Sequence, residues 1–361
     1  MTGWRLAEPA DRPAWDAFVA ERPDADPLQS WAWGEANVEA GELPVRGLVS
    51  DADGRIVGLA QLLVRPAGFG RSVGYVPHGP VWIRESAGAG ATLDALLGGL
   101  REVAAARRII VVKLDPRATT GIAAADAATD PVGDALRSRG LRRARHDLQA
   151  GTTRLVEVLD GADELWATWQ ADARRLTRRS EREGVITSVD RDGEPAAVRS
   201  FRELLVATSE RAGFRVRSEA FLRTLATELA ADRGWFLTIA RLRDRPIAGV
   251  VALRVGDRAS YVYGASLREE GLKHAYGAYA ALAATMRAVA EDGVRILDMW
   301  GVVEADDEAA DPAWRGFSAF KRTFGGEPLR HPGTFDLVVD RLWDILREGR
   351  SRLVDLVRRP A

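Results

Sequence analysis

The sequence predicts an α/β chain with mixed sheets, assembled from two tandem copies of one unit. Three observations carry this. Residues 53–64 read DGRIVGLAQLLV and residues 244–255 read DRPIAGVVALRV; aligned without gaps they share Asp53/Asp244, Ile56/Ile247, Gly58/Gly249, Leu62/Leu253 and Val64/Val255. Each is followed by a strand-like segment ending at glycine, SVGYVPHG (72–79) and ASYVYGAS (259–266), and then by an alanine-rich helical pattern, ATLDALLGGLREVAAARR and AYGAYAALAATMRAVAEDG. Each half closes on a short β-type segment, IIVVKLDP (109–116) and VRILDMWG (294–301). Self-similarity of this length marks a duplicated α/β unit; chance similarity between two β-α-β segments is the alternative.

Two adjacent strands, a helix and a further strand form the central layout of acyl-CoA N-acyltransferase (GNAT) folds, so two tandem GNAT-like domains are expected. The first spans 1–150 and is completed by the C-terminal segment 333–361. The second spans 151–332 and carries a basic helix at 165–184. The boundary follows a basic cluster at Arg137–His146, and residues 117–134, rich in small and polar residues, form a connection. A second helical stretch runs from Glu194 to about Arg211. The C-terminal DLVVDRLWDILREGRSRLVDLVRR reads as an amphipathic helix, suited to packing on the first domain or to lying on a membrane surface.

At 361 residues the chain can build two cores. Its formal net charge is -1, so no overall basic field draws it to nucleic acid or membrane. The absence of cysteine excludes disulfides, thiol nucleophiles and thiolate metal sites. His78, His146, His274 and His331 are scattered without metal-ligand spacing, so no metal is expected. The N-terminus lacks a basic segment followed by an apolar one, and no apolar run approaches the ~20 residues of a spanning helix. A cytoplasmic location is the expectation.

Candidate chemistry gathers at a few places. Of the 51 basic residues only Lys113, Lys273 and Lys321 are lysines. Arginine does the ordinary cationic work, so a lysine can mark a need for a compact ammonium. In FKRTFGGEP (320–328), Lys321 lies between Phe320 and Phe324, which should exclude water, and Gly325-Gly326 permits close backbone approach. An ammonium held there could stabilise an oxyanion or a phosphate. Arg174, Arg175, Arg178, Arg179 and Arg182 fall along one broad helix face, either a phosphate-backbone contact or a solvated surface. In ERAGFRVRSEAF (210–221) a helix breaks at Gly213 and a new one opens with Ser218 as N-cap. Arg215 and Arg217 precede that helix, as anion contacts or exposed charges. Tyr261 and Tyr263 should share one side of a strand, ending at Gly264, as ligand contacts or core. His78, in GYVPHGPVW (74–82), sits in a constrained loop, structural or site-lining. REEGLKHAYG (268–277), which opens the second long helix, lacks the close G-x-G turn that would grip coenzyme A. No Ser/His/Asp arrangement and no carboxylate dyad is visible.

The chain resembles the FemABX family of peptidoglycan bridge aminoacyltransferases. The likeness covers nearly the whole chain and rests on QSWAWGE (29–35), GYVPHGPVW (74–82), RRLTRRSEREGV (174–185), ERAGFRVRSEAF (210–221), YVYGAS (261–266), GAYAALAATMRAVAEDGVRILDMWG (277–301) and FKRTFGGEP (320–328), in that order. The resemblance implies two acyltransferase-like domains with a cleft between them. It implies transfer of an amino acid from aminoacyl-tRNA, the co-substrate, to an amine of a peptidoglycan precursor's stem peptide, UDP-linked or lipid-linked, with no cofactor. By motif, Lys321 would support the transfer beside Phe320, Arg217 would meet the precursor's diphosphate with Phe221 four residues on, and Tyr261 or Tyr263 would line the precursor site. His78 is counted with these substrate contacts, and the Arg174–Arg182 face would be the tRNA contact by charge. Two features depart from the family. Trp33-Gly34 is followed by Glu35, Ala36 and Asn37 rather than a nearby lysine, and the long helical hairpin is absent. A coenzyme A-dependent N-acyltransferase on a cell-envelope amine and a non-catalytic tRNA- or precursor-binding protein remain as alternatives. Peripheral contact with the inner face of the cell membrane fits the amphipathic C-terminus.

Overall fold

The computed structural model describes residues 3–118, 130–158, 161–304 and 312–358. Residues 119–129, the middle of the expected connection, lie outside the described residues. Among the described residues the strands form two mixed sheets, each wrapped by helices.

The first sheet uses β1 (Gly3–Leu6), β2 (Leu43–Ser50), β3 (Ile56–Gly68), β4 (Arg71–Val76), the short β5 (Val81–Trp82), β6 (Ile109–Leu114) and β7 (Arg142–Arg143). The second uses β8 (Thr152–Glu157), β9 (Val185–Asp190), β10 (Trp235–Leu242), β11 (Arg245–Val255), β12 (Arg258–Ser266), β13 (Ile296–Asp298) and β14 (Glu327–Arg330). The chain then returns: β15 (Phe335–Val338) inserts between β6 and β7 of the first sheet. The amphipathic C-terminal segment is therefore not helical from its start, because Phe335 and Leu337 are core residues of a strand. The helices are α1 (Arg12–Glu21), α2 (Trp31–Val38), α3 (Ala89–Ala106), α4 (Pro131–Arg137), α5 (Ala162–Thr168), α6 (Ala171–Arg182), α7 (Pro195–Ala212), α8 (Glu219–Ala230), α9 (Gly277–Glu291), α10 (Pro312–Arg322) and α11 (Arg341–Arg358). The end of the expected connection is thus helical, opened by Asp130, whose carboxylate accepts from Gly133 N, and by Pro131 in the first turn.

The repeated segments fold alike. β3 and β4 pair antiparallel, α3 crosses over, and β6 lies parallel to β4. β11, β12, α9 and β13 do the same in the second sheet. The crossover helices pack through Leu93, Leu96, Leu97 and Leu100 in one half and through Leu282, Met286 and Val289 in the other. β3 and β11 read as near-continuous apolar runs because both faces of each sheet are covered.

The basic helix expected at 165–184 is instead two helices. Trp169 adopts an extended backbone, buries its ring against Phe324 at 5.0 Å and Trp166 at 5.0 Å, and so ends α5. Gln170 N then donates to the carbonyl of Thr323.

The two halves meet in an apolar and a charged contact. α2 of the first half lies on α8 of the second, with Trp33 edge-on to Phe221 at 5.5 Å, inside a cluster that also includes Leu28, Leu63, Leu222 and Leu225. Ser30 caps α2, and Ser218 caps α8 by accepting from Phe221 N. Deeper in, Arg117, just past β6, reaches across. Its guanidinium donates to Asp26 at 2.6 Å and to Asp298, the last residue of β13. All three are at most 4% exposed. Burial alone would raise the two carboxyls, but His78 and Arg117 hold Asp26 down, and Arg117 and Thr153 hold Asp298 down.

Replacing Arg117 with Met leaves two buried carboxylates facing one another, and unfolding in urea at neutral pH should show a loss of about 3–5 kcal/mol. The pairing stabilises the fold above the ordinary carboxylate pKa of about 4 and is lost as pH falls toward the depressed folded values. The acid limb of the stability curve should therefore be steep in the parent protein and flatter in Arg117→Met. An unchanged acid limb would separate Arg117 from both carboxylates.

Candidate active site between the two halves

Lys321 occupies the last turn of α10 and is 5% exposed. Its Nζ donates to the carbonyl of Gly301 at 3.0 Å and sits over the rings of Tyr261, at 4.7 Å, and Phe317, at 4.8 Å. The water-excluding rings are therefore not its sequence neighbours. Phe320 turns away to meet Tyr279 edge-on at 4.9 Å, and Phe324 is fully buried beside Trp169. On a helix, position i−4 faces the lysine and position i−1 does not. Phe320 thus packs α10 against α9. Gly325 and Gly326 are both left-handed, and a Cβ on Gly326 would stand 2.4 Å from the carbonyl of Leu155. Gly326 thus allows close approach to β8, and Gly325 to the Thr168 carbonyl at the end of α5, 3.0 Å from where a Cβ would stand. Burial lowers the Lys321 ammonium to about 7, with Asp298 pulling the other way.

Gly301, whose carbonyl holds the ammonium, lines a narrow cleft partly open to solvent together with His78, Arg117, Thr153, Asp298, Trp300 and His331. His78 has a left-handed backbone, φ 48°, and is held on three sides. Its backbone N donates to Asp115 at 2.6 Å, its Nδ1 meets the Asp26 carboxylate, and its ring lies 5.0 Å from Trp300. Burial raises Asp115 to about 7 against the opposing effects of His78 and Tyr75. Burial, aided by Arg117 and His78, lowers His331 to about 3, leaving it a neutral imidazole that accepts from Ala118 N.

The two tyrosines of β12 do not share a face. Val251 pairs with Tyr263 and Ala252 with Tyr261, so Val262 is an extra residue, a β-bulge that reverses the alternation. Tyr261 packs with the α9 side of the sheet and Tyr263 with the α7–α8 side. The space beside Gly264, expected to admit a ligand, is filled by the Tyr261 hydroxyl, 1.8 Å from where a Cβ would stand. Tyr263 is hydrogen-bonded by Arg217, whose guanidinium also lies over Phe221 at 4.5 Å and Trp33 at 5.9 Å. Burial raises both tyrosine hydroxyls. Phe221 is fully buried, so it shapes the seat of Arg217 and does not face a substrate, as its motif position had suggested. Arg217 itself is partly exposed.

The arginines of α6 divide. Arg174 donates to the carbonyls of Ala167 and Trp169, capping α5. Arg179 lies over Tyr276 and faces Glu183 at 3.6 Å, Arg178 lies over Trp166, and Arg175 pairs with Asp172. Arg182 is exposed. The five do not form one free basic surface, because Arg174 serves the helix break that the sequence did not reveal. In the WGE segment, Glu35 accepts from Arg46 at 2.8 Å, and Arg46 also stacks on Trp31 at 3.9 Å. Asn37 turns inward to the Trp33 carbonyl. α9 begins at Gly277, where a Cβ would collide with Ile247, so this glycine serves packing rather than an anion-binding turn.

Asp26, Arg117, Asp298 and Trp300 escaped the reading of the sequence. One signal was present. The repeat aligns Leu114-Asp115 with Leu297-Asp298 at the ends of the two closing strands, and both carboxylates face the junction.

Several known proteins share this architecture. Residues 167–322 match an acetyltransferase (GNAT) domain family. The structure superposes on the crystal structure of FemX with a TM-score of 0.78 at 20% identity, covering 95% of this chain and 99% of that one. It superposes on a tandem GNAT protein from the clavulanic acid biosynthesis pathway with a TM-score of 0.56 at 16% identity, covering 94% and 99%. The fold is therefore a tandem pair of GNAT domains. A lipid II:glycine glycyltransferase of Staphylococcus haemolyticus is 26% identical over 243 residues, 64% of this chain and 54% of the relative. Its counterpart from Staphylococcus aureus strain bovine RF122 / ET3-1 is 27% identical over 239 residues, 63% and 53%. The chain spans about half the length of these curated relatives. The FemAB family matches residues 11–243, most of the first half and about half of the second, and the chain belongs to that family.

Proposed function

We propose that the protein is an aminoacyltransferase that moves an amino acid from aminoacyl-tRNA to an amine of a peptidoglycan precursor's stem peptide. The observation that carries the reading is the buried Lys321 ammonium, clasped by two rings and one carbonyl at the rim of the cleft between two GNAT domains. FemAB membership and the name of the staphylococcal relatives support it, and that name favours a lipid-linked acceptor.

The chemistry needs no side-chain nucleophile. The acceptor amine attacks the carbonyl carbon of the ester that joins the amino acid to the terminal ribose. The carbonyl electron pair moves to oxygen, and Lys321 stabilises that oxyanion. Collapse forms the amide and expels the ribose oxygen, which takes the proton the attacking nitrogen gives up. The remaining work is positioning. In this reading Arg217, steadied by Trp33, Phe221 and Tyr263, meets the precursor's diphosphate. Arg175, Arg178 and Arg182 are the α6 residues left for the tRNA backbone. No cofactor enters this scheme. No described helix is long and apolar enough to cross a membrane; we place the protein in the cytoplasm, in peripheral contact with the membrane that carries the acceptor.

The reading is tested by incubating the protein with a pool of charged tRNAs and UDP-linked and lipid-linked precursors, with acetyl-coenzyme A in parallel, and weighing the products. A mass increase by one amino acid, dependent on charged tRNA, is expected; acetylation, or binding without turnover, overturns the reading. Lys321→Met should lower transfer by about 10²–10³-fold. Because the protonated lysine is the working form, the rate should fall as pH rises through about 7, and that limb should vanish in the variant.

Stability gives a second readout. The unfolded lysine keeps its proton to about pH 10, whereas the folded one loses it near 7. Unfolding free energy should therefore rise with pH above neutrality in the parent protein. Lys321→Met should abolish that rise in urea titrations.

A further inference from the structure

Helix α11 is turned the wrong way round for a helix that packs on a protein core. Its inward side is polar: Asp344, 1% exposed, accepts from Arg142 and from Arg347 at 2.8 Å, and Glu348 accepts from Arg142 at 2.7 Å. Its apolar residues face out, with Leu342 67%, Ile345 67% and Leu346 55% exposed. These positions, i, i+3 and i+4, form one stripe, and the sequence repeats the spacing at Leu353, Leu356 and Val357. Beside the stripe is the tip of the β3–β4 hairpin. There Gly68, Phe69 and Gly70 all have left-handed backbones, and Phe69 is 84% exposed. A bulky side chain at positive φ is costly, and burial within this chain does not offset that cost. Phe69 meets Trp343 of α11 at 6.1 Å, which joins the tip and the helix into one surface.

Charge identifies the occupant. Arg71 lies over Trp343 at 5.2 Å, the Arg108 side chain adjoins Gly70, and Arg108 and Arg341 are exposed. The nearby acids are engaged: Asp340 with Arg71, and Asp344 and Glu348 with Arg142 and Arg347. An apolar stripe with an aromatic tip and a basic rim matches the boundary of an anionic bilayer, where rings and leucines enter the acyl region and arginines meet phosphates.

We propose that α11 and the Phe69 hairpin form a membrane-docking surface selective for anionic lipid. The surface lies on the first half and does not depend on the transfer reaction proposed above. It is tested with the full chain and vesicles of phosphatidylcholine with or without phosphatidylglycerol, read by co-sedimentation. Binding to the phosphatidylglycerol vesicles, weakened by added salt, is expected. Phe69→Ser, and separately Ile345→Glu with Leu346→Glu, should each lower it by about tenfold or more. These side chains are exposed, so circular dichroism and transfer to a UDP-linked acceptor should not change. Three results overturn the proposal: no binding to anionic vesicles, equal binding to neutral ones, or a concentration-dependent dimer in lipid-free solution that Ile345→Glu dissolves, which would assign the face to a second copy.

Discussion

One guanidinium shared by two carboxylates organises this protein. Arg117 leaves the end of a first-sheet strand and is met by Asp26 from its own half and Asp298 from the other. Asp298 is also the carboxylate that opposes the loss of the Lys321 proton. The contact that fixes the halves in register therefore also bears on the proton affinity of the buried lysine, which burial still lowers to about 7. A buried pair of this kind adds little net stability over apolar packing, but it specifies geometry because each partner is costly to leave unmatched.

The duplicated unit has diverged at equivalent points. Asp115 and Asp298 both end the strand after the crossover helix. Asp298 is ionised by its arginine, while Asp115, paired with the backbone of His78 and the hydroxyl of Tyr75, is pushed up by burial. Equivalent positions in the two copies thus hold carboxyls with different proton affinities, set for Asp298 by Arg117 of the opposite half and for Asp115 by burial beside His78 and Tyr75 of its own half.

The repeated β-β-α-β unit was legible because it rests on local patterns: apolar runs, glycine turns and alanine-rich periodicity. The caps at Ser30 and Ser218 and the break at Gly213 follow the same local chemistry. Lys321 stood out through composition, as one of three lysines in an arginine-rich chain. Its true ring partners did not, since Tyr261 comes from a distant strand and Phe317 requires knowing where α10 begins. The helix break at Trp169 was hidden for a similar reason: only the tertiary pocket beside Phe324 makes an extended tryptophan favourable. Arg117 was hidden because a junction between halves leaves no periodic trace. Asp336 to Val338, part of a strand, were read as helix because the residues after them continue a helical spacing, and only the gap between β6 and β7 decides otherwise.

The bulge at Val262 acts on side-chain parity as an inserted letter acts on a coding frame. Before it, Tyr261 faces the layer that holds the lysine; after it, Tyr263 faces the layer that seats Arg217. A single strand thereby supports Lys321 through Tyr261 on one face and Arg217 through Tyr263 on the other.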